Sequence, residues 1–431
     1  MRKHAPVWPA REPSDERLPM APSPTRTDFL PVVLGGDIGA YALCREFHEA
    51  YGVRPVIMST GFIGAIAHSK ILSTHTVPAL TREELISGLA QIAAERPGVT
   101  LLLVANTDPL IELLEEVHDE LPEQVVCPLP PRAAFDAVCD KGVFTRLCGE
   151  HGLDTPRTEV VRLAGNERIA PSELPFPVIA KPAVSAGYYP TLMKGFKKVY
   201  YMTAQEQLDE LWRDRRASGF DGDFLVQELV GGDDTYMDSL TLYIGRDGGA
   251  RLLGAAQVLL EDHAPAMLGN PVAMVIREKP ELWERAAALL SEAGYRGFAN
   301  FDIKRDPVTG RELFLDCNPR IGRNSYYNVA GGVNPMEVLV RDVIDGEKDE
   351  TRIADDEALY TLVPVSLLRR YVREEALLAE VDDLVARGRV FDPQRYDRDR
   401  GLRRIIDVEL TEKNHIRKFA QYYPKPTDTS F

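Results

Sequence analysis

The chain has 431 residues, which is enough for two or three domains with buried cores. Its 44% hydrophobic and 27% charged residues are typical of a globular protein. The formal net charge is −15, from 66 acidic and 51 basic residues, which argues against a protein that binds nucleic acid through a basic surface. No apolar run approaches the roughly 20 residues that a membrane span needs, so we expect no membrane span. The five cysteines lack CxxC spacing, which predicts free thiols in a reducing cytoplasm.

The first folded domain is predicted to begin after residue 28. Six prolines and interspersed charges punctuate residues 1–28, a pattern that predicts a disordered leader and not a signal peptide. Between residues 29 and 130, continuous apolar strands alternate with helical patterns. This alternation predicts an α/β domain with a parallel sheet.

Gly36 and Asp37 follow the first apolar strand of this domain. Ligands bind outside the carboxyl ends of parallel strands, so these two residues could open a substrate-binding loop. An ordinary strand-to-helix turn explains them equally well. The surrounding sequence GGDIGA lacks the GxGxxG spacing, which excludes a Rossmann dinucleotide site.

The sequence pattern changes after residue 130. Strands of alternating polarity mix with helices over residues 131–348, which predicts antiparallel sheets in an α+β arrangement. Residues 349–431 are predicted to form a mostly helical extension.

A metal site with oxygen ligands is predicted near the end of the α+β region. Asp302 lies on one predicted strand, and Asp316 and Asn318 lie at the end of the next strand, after a turn. A hairpin would bring Asp302 beside Asp316, and residues two apart on a strand face the same side. Two carboxylates and an amide oxygen on one face suit Mg²⁺, and Arg320 would follow on that face to contact a phosphate. The alternative is a solvated hairpin face whose charges never meet.

Two lysines favour the metal-site interpretation. Lys141 begins a predicted helix, and Lys181 ends the apolar strand PVIAKP. Nucleotide phosphates need fixed positive charge near Mg²⁺, which these ammonium groups could supply. The glycine-containing segment that follows, with Ser185 and Gly187, could close its backbone N–H groups over phosphates. Taken alone, that segment is equally consistent with a surface hairpin.

The run QELVGGDD is a candidate adenosine site. Its predicted strand ends at Gln227, Glu228 and Leu229, where backbone groups can pair with an edge of adenine. Asp233 and Asp234 follow two glycines. Carboxylates in such positions hold ribose hydroxyls in other nucleotide sites.

Taken in order, these pieces resemble the ATP-grasp superfamily. The matching motifs are DK, KP, the glycine loop, QELVGGDD, FDIKRD and LDCNPR, and the resemblance covers nearly all of the chain after the leader. It implies an ATP-grasp fold, of α/β and α+β class, with residues 29–130 as the N-terminal parallel-sheet (pre-ATP-grasp) domain. Residues 131–348 would form the ATP-grasp domain, with a small lid subdomain at about 155–230 and a larger subdomain after it.

The resemblance also assigns roles to the residues that match its motifs. ATP would be bound by Lys141, Lys181, Ser185, Gly187, Gln227, Glu228, Leu229 and either Asp233 or Asp234. Mg²⁺, as one or two ions that Mn²⁺ can replace, would be bound by Asp302, Asp316 and Asn318. Arg320 and Lys181 would be the catalytic residues that stabilise the transferring phosphoryl group. Many members carry glutamates in place of Asp302 and Asp316, which leaves the number of metal ions open.

Within the superfamily, the segments LGGDIGAYALCREFHEAYG and NPRIGRNSYYNVAGGVNP are similar to the D-aspartate ligase and carboxylate–amine ligase group. Members of that group join D-aspartate, through its β-carboxylate, to the lysine amine of a peptidoglycan precursor. The resemblance therefore implies small-molecule carboxylate and amine substrates, and a homodimer. Candidate contacts to the carboxylate substrate are Arg323, Asn324, Ser325 and His263, with Asp37 reading its amino group.

The expected reaction has two steps. A carboxylate attacks the γ-phosphate of ATP to give an acyl phosphate, and an amine then displaces phosphate to form an amide. The alternatives are a ligase for another amino acid or dipeptide, a biotin-type carboxylase, and a non-catalytic nucleotide-binding regulator. The presence of all three predicted metal ligands and both lysines argues against the regulator.

Overall fold

The computed structural model of the protein describes residues 25–165, 168–183, 197, 199–265, 267–348 and 350–430. Its strands form a five-stranded, a four-stranded and an eight-stranded sheet. Most of the predicted leader and most of the glycine loop, including Ser185 and Gly187, lie outside the described residues.

The N-terminal domain is a parallel sheet whose strands are connected through helices, as the sequence predicts. Its strands are β1 Phe29–Leu34, β2 Val56–Ser59, β3 Ser73–Thr76, β4 Thr100–Ala105 and β5 Val125–Val126, in the order β3-β2-β1-β4-β5. Its helices are α1 Ile38–Tyr51, α2 Gly64–Ala67, α3 Arg82–Glu95 and α4 Asp108–Val117. Gly35 follows β1 with φ 118°, a left-handed conformation that favours glycine, and Asp37 then caps α1 by accepting a hydrogen bond from Ala40 N.

The four-stranded antiparallel sheet forms a small separate layer. Two helices precede it, α5 Arg132–Cys139 and α6 Lys141–Glu150. Its strands are β6 Thr158–Arg162, β7 Val178–Pro182, β8 Tyr200–Met202 and β9 Asp223–Glu228, in the order β6-β9-β7-β8. Helix α7, Gln205–Ala217, packs Leu208, Leu211 and Trp212 against this sheet, because these residues recur at a helical spacing on one face.

The eight-stranded sheet is the largest element of the fold. Its strands are β10 Met237–Ile244, β11 Ala250–Glu261, β12 Pro271–Ile276, β13 Gly297–Arg305, β14 Glu312–Asn318, β15 Arg352–Ala354, β16 Leu359–Thr361 and β17 Val390–Phe391. The order is β14-β13-β10-β11-β12-β16-β17, and β15 pairs with β11. Helix α8, Pro280–Glu292, buries Leu282, Trp283 and Leu289 in the core that this sheet shares with α5 and α6.

The C-terminal residues are more than a helical extension. Helices α9 Tyr326–Ala330, α10 Pro335–Val343, α11 Val365–Tyr371, α12 Glu375–Ala386 and α13 Leu402–Tyr422 account for much of it. However, β15, β16 and β17 join the large sheet, so the predicted boundary at residue 348 cuts through one folded unit. Strands of two or three residues carry too little periodicity to be recognised in the sequence. Among the described residues, no helix has the length and apolar character needed to cross a membrane.

Gly39 allows the N-terminal domain to approach the segment that follows β14. A Cβ atom at Gly39 would lie 2.4 Å from Asn106 Nδ2 and 2.7 Å from Arg323 Cγ. Only a residue without a side chain fits there, and α1 therefore packs directly beside Arg323. The carboxyl edge of the parallel sheet and the end of β14 are thereby brought to the same place.

Candidate active site

A cavity of about 370 Å³ lies where the three sheets face one another. Eleven of the residues predicted for the site line it: Lys141, Lys181, Gln227, Glu228, Leu229, Asp302, Asp316, Asn318, Arg320, Arg323 and Asn324. They come from the start of α6, from the four-stranded sheet, from the β13–β14 hairpin and from the segment after it. The fold therefore gathers residues that are far apart in the sequence around one space.

Asp316 is held between the two predicted phosphate-binding lysines. Lys181 Nζ donates to Asp316 Oδ2 at 2.5 Å, and Lys141 Nζ donates to Asp316 Oδ1 at 3.2 Å. Burial alone would raise the pKa of the Asp316 carboxyl, but the two ammonium groups hold that pKa well below its ordinary value. Burial, together with the nearby charge of Lys181, lowers the pKa of the Lys141 ammonium group although Asp316 opposes the shift.

A bulge in the hairpin shapes the end of β14. Asp302 is opposite Asp316, but the next pair is Ile303 with Phe314, so Leu315 has no partner in the register. The Leu315 carbonyl group accepts a hydrogen bond from Lys141 Nζ. The bulge thus helps to fix Lys141 over the metal-binding end of the strand.

The predicted pairing of Asp302, Asp316 and Asn318 is confirmed. Asp302 and Asp316 are directly opposite each other, and Asn318 Nδ2 donates to Asp302 Oδ2 at 3.0 Å. Among the described residues there is no cluster of three or more His, Cys, Asp or Glu side chains that could hold a metal. Two carboxylates and one amide oxygen nevertheless fit Mg²⁺, which is commonly bound by one or two carboxylates together with substrate phosphates.

Arg320 lines the cavity beside acidic residues of α4. Arg320 Nε donates to Asp108 Oδ1 at 2.7 Å, and Glu112 lines the cavity one turn further along that helix. Burial would lower the pKa of the Arg320 guanidinium, but Asp108 raises that pKa above its ordinary value. Burial and the nearby charge of Asp108 raise the pKa of Glu112. Sequence reasoning missed Glu112, whose only signal is its helical spacing from Asp108.

The predicted adenine contacts lie at the end of β9. Gln227 Nε2 donates to Thr158 Oγ1 at 2.9 Å, and the Glu228 carboxylate accepts from Arg157 Nε at 2.7 Å. Glu228 N is also bonded to Arg157 O. These contacts attach the end of β9 to the chain just before β6, while Leu229 continues along the cavity wall.

The two predicted ribose carboxylates do not line the cavity, because other side chains occupy them. Asp234 is buried, and its Oδ2 lies 2.9 Å from His263 Nε2. Burial opposes ionisation of Asp234, but His263 lowers the pKa of the Asp234 carboxyl. Asp233 accepts from Arg373 Nη2 at 2.9 Å and from the hydroxyl of Thr235.

His263 is a buried side chain and not a loop residue that faces a substrate. Its ring stacks on the ring of Tyr423, with centroids 3.6 Å apart and an angle of 4° between the planes. The sequence places it in a polar loop, and the partners that bury it lie on distant segments. Neither His263 nor Asp234 therefore reaches the cavity in this structure.

Several predicted substrate contacts instead hold the N-terminal domain to the segment after β14. Arg323 Nε donates to Asp37 Oδ2 at 2.5 Å, and Asp37 itself does not line the cavity. Gly36 also lies off the cavity, and a Cβ atom there would be 2.0 Å from Gly61 O, so this glycine serves the packing of the turn. Ser325 is buried and donates to Glu46 Oε1 at 3.0 Å.

Asn324 remains at the cavity, where its Nδ2 lies 2.8 Å from Met274 Sδ. Two further cavity residues were missed by sequence reasoning, Glu261 and Lys304. Burial, together with the nearby charge of Asp234, raises the pKa of the Glu261 carboxyl to about 7. Lys304 Nζ donates to the carbonyl oxygens of Gly232 at 2.8 Å and Asp233 at 3.0 Å, which supports the turn after β9.

Solved structures share this architecture at low sequence identity. N5-carboxyaminoimidazole ribonucleotide synthetase in its ADP complex matches with a TM-score of 0.55 and 12% identity, over 78% of this chain and 81% of that chain. Biotin carboxylase from Campylobacter jejuni matches with a TM-score of 0.54 and 15% identity, over 75% of this chain and 73% of that chain. The chain has the ATP-grasp fold. L-amino acid ligase from Bacillus licheniformis also matches, with a TM-score of 0.51 and 14% identity, over 76% of this chain and 79% of that chain.

This ATP-grasp chain is also similar to a curated protein along nearly its whole length. It is 28% identical over 409 residues to D-aspartate ligase of Enterococcus faecium (strain Aus0004), covering 92% of this chain and 97% of that protein. No known family profile matches the chain. The resemblance to the ATP-grasp superfamily and to the D-aspartate ligase group is thus supported by fold and by sequence.

Proposed function

We propose that the chain is an ATP-dependent carboxylate–amine ligase that forms an amide through an acyl phosphate. The observation that carries the proposal is the position of Asp316. Its carboxylate lies between Lys141 and Lys181, opposite Asp302, at the wall of a cavity formed by three sheets. The similarity to D-aspartate ligase over nearly the full chain supports the same activity class.

The side chains around Asp316 suit the binding of Mg²⁺ and ATP. When bound, these groups supply the transferable phosphoryl group and the positive charge that stabilises its transfer. Lys141 and Lys181 bind phosphate oxygens, and Asp302, Asp316 and Asn318 hold the ion through oxygen atoms.

On the opposite wall, Arg320 and α4 form the proposed acid site. The guanidinium group of Arg320 binds the carboxylate that is activated, since a planar donor pair matches a carboxylate. Asp108 and Glu112 lie beside it on the cavity wall and carry the charge that an amino-acid ammonium group requires. The acid substrate is therefore an amino acid, and the curated relative indicates D-aspartate.

The proposed acceptor is an amine, and we propose the lysine amine of a peptidoglycan precursor. The acyl phosphate would hydrolyse in water, so the reaction needs a closed site. We propose that the segment with Ser185 and Gly187, which follows Lys181 in the sequence, closes over the phosphates.

Phosphate release from Mg·ATP tests the proposal. The assay uses a panel of D- and L-amino acids, with and without a lysine-containing peptidoglycan precursor. The expected result is stimulation by D-aspartate that rises when the precursor is added. Stimulation by another acid would keep the ligase and replace its substrate, whereas ATP binding with no stimulation by any pair would point to a nucleotide-binding regulator.

A matched pair of variants on β14 links the activity to the cavity. Asp316→Asn removes the carboxylate that faces Lys141 and Lys181, and we expect it to abolish stimulated phosphate release. Glu312→Gln removes a carboxylate on the same strand that pairs with Lys279 away from the cavity. That control variant should keep the stimulated rate, and an equal loss in both variants would contradict the proposed site.

A further inference from the structure

Helix α13 carries an apolar surface that the rest of the described chain leaves exposed. Six of the ten exposed large hydrophobic residues among the described residues belong to this one helix. Five of them, Leu402, Ile405, Ile406, Leu410 and Ile416, share one side of the helix, which we call the outer face of α13. Their exposed fractions run from 42% to 78%. Scattered single hydrophobic residues are ordinary on a surface, but a contiguous patch of this kind marks an interaction site.

The opposite side of α13 is already used for folding. Arg404, Val408, His415 and Phe419 are buried at a spacing of four or seven residues. Val408 and Phe419 belong to the core, and Arg404 Nε donates to Ala65 O at 3.0 Å. The helix is therefore fixed to the protein along its inner side, and its outer face from Leu402 to Ile416 extends about 21 Å along the surface.

The charges on the outer face are of one sign once local pairs are considered. Arg403, Lys413 and Arg417 are exposed on or beside it. The two acids on that side, Glu409 and Glu412, are both bonded to Arg395. This is a basic surface on a chain whose formal net charge is −15, so it does not follow from the composition.

Further basic residues surround the start of the helix. Arg398 and Arg400 are exposed just before α13, and the end of the Lys70 side chain would lie 3.7 Å from a Cβ atom at Gly401. Asp397 pairs with Arg400. Cations therefore border the aliphatic residues at one end as well as along the side.

We propose that the outer face of α13 binds an anionic membrane surface, with its aliphatic side chains between the lipid head groups and its cations at the phosphates. Helices with a fixed apolar face and basic flanks bind in this way, parallel to the membrane plane. The proposal is independent of the ligase activity, because the outer face has no residue in the cavity.

A second copy of the chain fits this surface less well. Pairing two outer faces in parallel would set each cation beside its own twin. Antiparallel pairing centred on Leu410 would set Arg403 of one copy against Arg417 of the other. Like charges brought together at an interface oppose association, whereas anionic phosphates complement them.

Vesicle sedimentation with the full chain tests this proposal. We expect the protein to sediment with phosphatidylglycerol vesicles and not with phosphatidylcholine vesicles, and to be released as salt increases. Leu410→Asp should lower the partition coefficient at least about tenfold, because it places a carboxylate in the aliphatic row. Lys413→Glu should lower it as well, and lower its dependence on salt.

Val308→Asp is the matched control, since Val308 is an exposed aliphatic residue at a turn away from α13. It should bind vesicles like the wild type, and all three variants should keep the wild-type rate of phosphate release with soluble substrates. Absence of binding to phosphatidylglycerol vesicles by the wild type would overturn the proposal, and so would equal binding by Leu410→Asp. A dimer in sedimentation velocity that Leu410→Asp dissociates, without vesicle binding, would assign the surface to a second copy. Vesicle binding that appears only after removal of residues 1–24 would assign it to that segment.

Discussion

Replacing Lys181 by methionine should weaken ATP binding while leaving the fold intact. Lys181 lies on β7 in the small sheet, its side chain is 18% exposed, and its Nζ is 2.5 Å from Asp316 Oδ2. Methionine keeps the length and the apolar stem of the side chain, so the packing of β7 should persist. What the variant loses is one ammonium group at the cavity wall.

The magnitude follows from the type of contact that is lost. A hydrogen bond to a charged group contributes about 1.5–3 kcal/mol, and about 1.4 kcal/mol corresponds to a factor of ten in the equilibrium constant. We therefore expect Lys181→Met to raise the Kd for Mg·ATP about 10- to 150-fold. The variant also leaves Asp316 paired with Lys141 alone, which makes the cavity more negative and acts in the same direction.

Isothermal titration calorimetry measures this change, and Lys279→Met is its control. Lys279 Nζ also contacts two carboxylates, Asp238 at 3.0 Å and Glu312 at 2.5 Å, but it does not line the cavity. The control variant should lower the thermal stability and keep the Kd for ATP within about threefold of the wild-type value. Equal Kd values for wild type and Lys181→Met, or equal losses in both variants, would refute the assignment of Lys181 to the phosphates.

Three further changes test other parts of the structure. Asp302→Asn should raise the Mg²⁺ concentration for half-maximal phosphate release at least about tenfold, because an oxygen-ligand site loses one of two carboxylates; an unchanged Mg²⁺ titration would contradict this role. Asp108→Asn should raise the KM for the acid substrate about tenfold or more with the KM for ATP unchanged, since Asp108 lies beside Arg320 at the proposed acid site; a change in the KM for ATP alone would exclude it. Burial raises the pKa of Asp392 to about 6 from its ordinary value of 3.8, so the folded state is favoured at low pH and loses that stability as the pH rises through 6. Between pH 4 and pH 7 the free energy of unfolding of the wild type should therefore fall by up to about 3 kcal/mol relative to Asp392→Asn, and parallel pH profiles in chemical denaturation would contradict it.

The metal-binding hairpin was predictable because its information is local. Asp302 and Asp316 are separated by one turn, and a strand period of two places Asp316 and Asn318 on one side. The sequence did not reveal the bulge at Leu315, because a single unpaired residue leaves the polarity pattern of a short strand nearly unchanged.

Contacts between distant segments were not predictable from the sequence. Lys181 and Asp316 are 135 residues apart, and Arg323 and Asp37 are 286 residues apart. No periodicity relates such pairs, so the sequence showed charged residues without their partners. For that reason Asp37 was interpreted as a substrate contact, whereas it lies against Arg323 and off the cavity.

Burial was equally hidden at His263 and Asp234. Both residues lie in polar segments, which favoured a solvated loop and a ribose contact. Their environment comes from the end of the chain, where the ring of Tyr423 covers His263. A polar sequence therefore predicts exposure only when no distant segment packs on it.

The central claim is that the acid substrate is activated as an acyl phosphate in this cavity. The most direct test is turnover of the acid that stimulates phosphate release, labelled with ¹⁸O in its carboxylate, followed by mass spectrometry of the inorganic phosphate. An acyl phosphate transfers one carboxylate oxygen to the phosphate, so we expect phosphate that carries one ¹⁸O atom. Unlabelled phosphate formed together with the amide product would contradict the account.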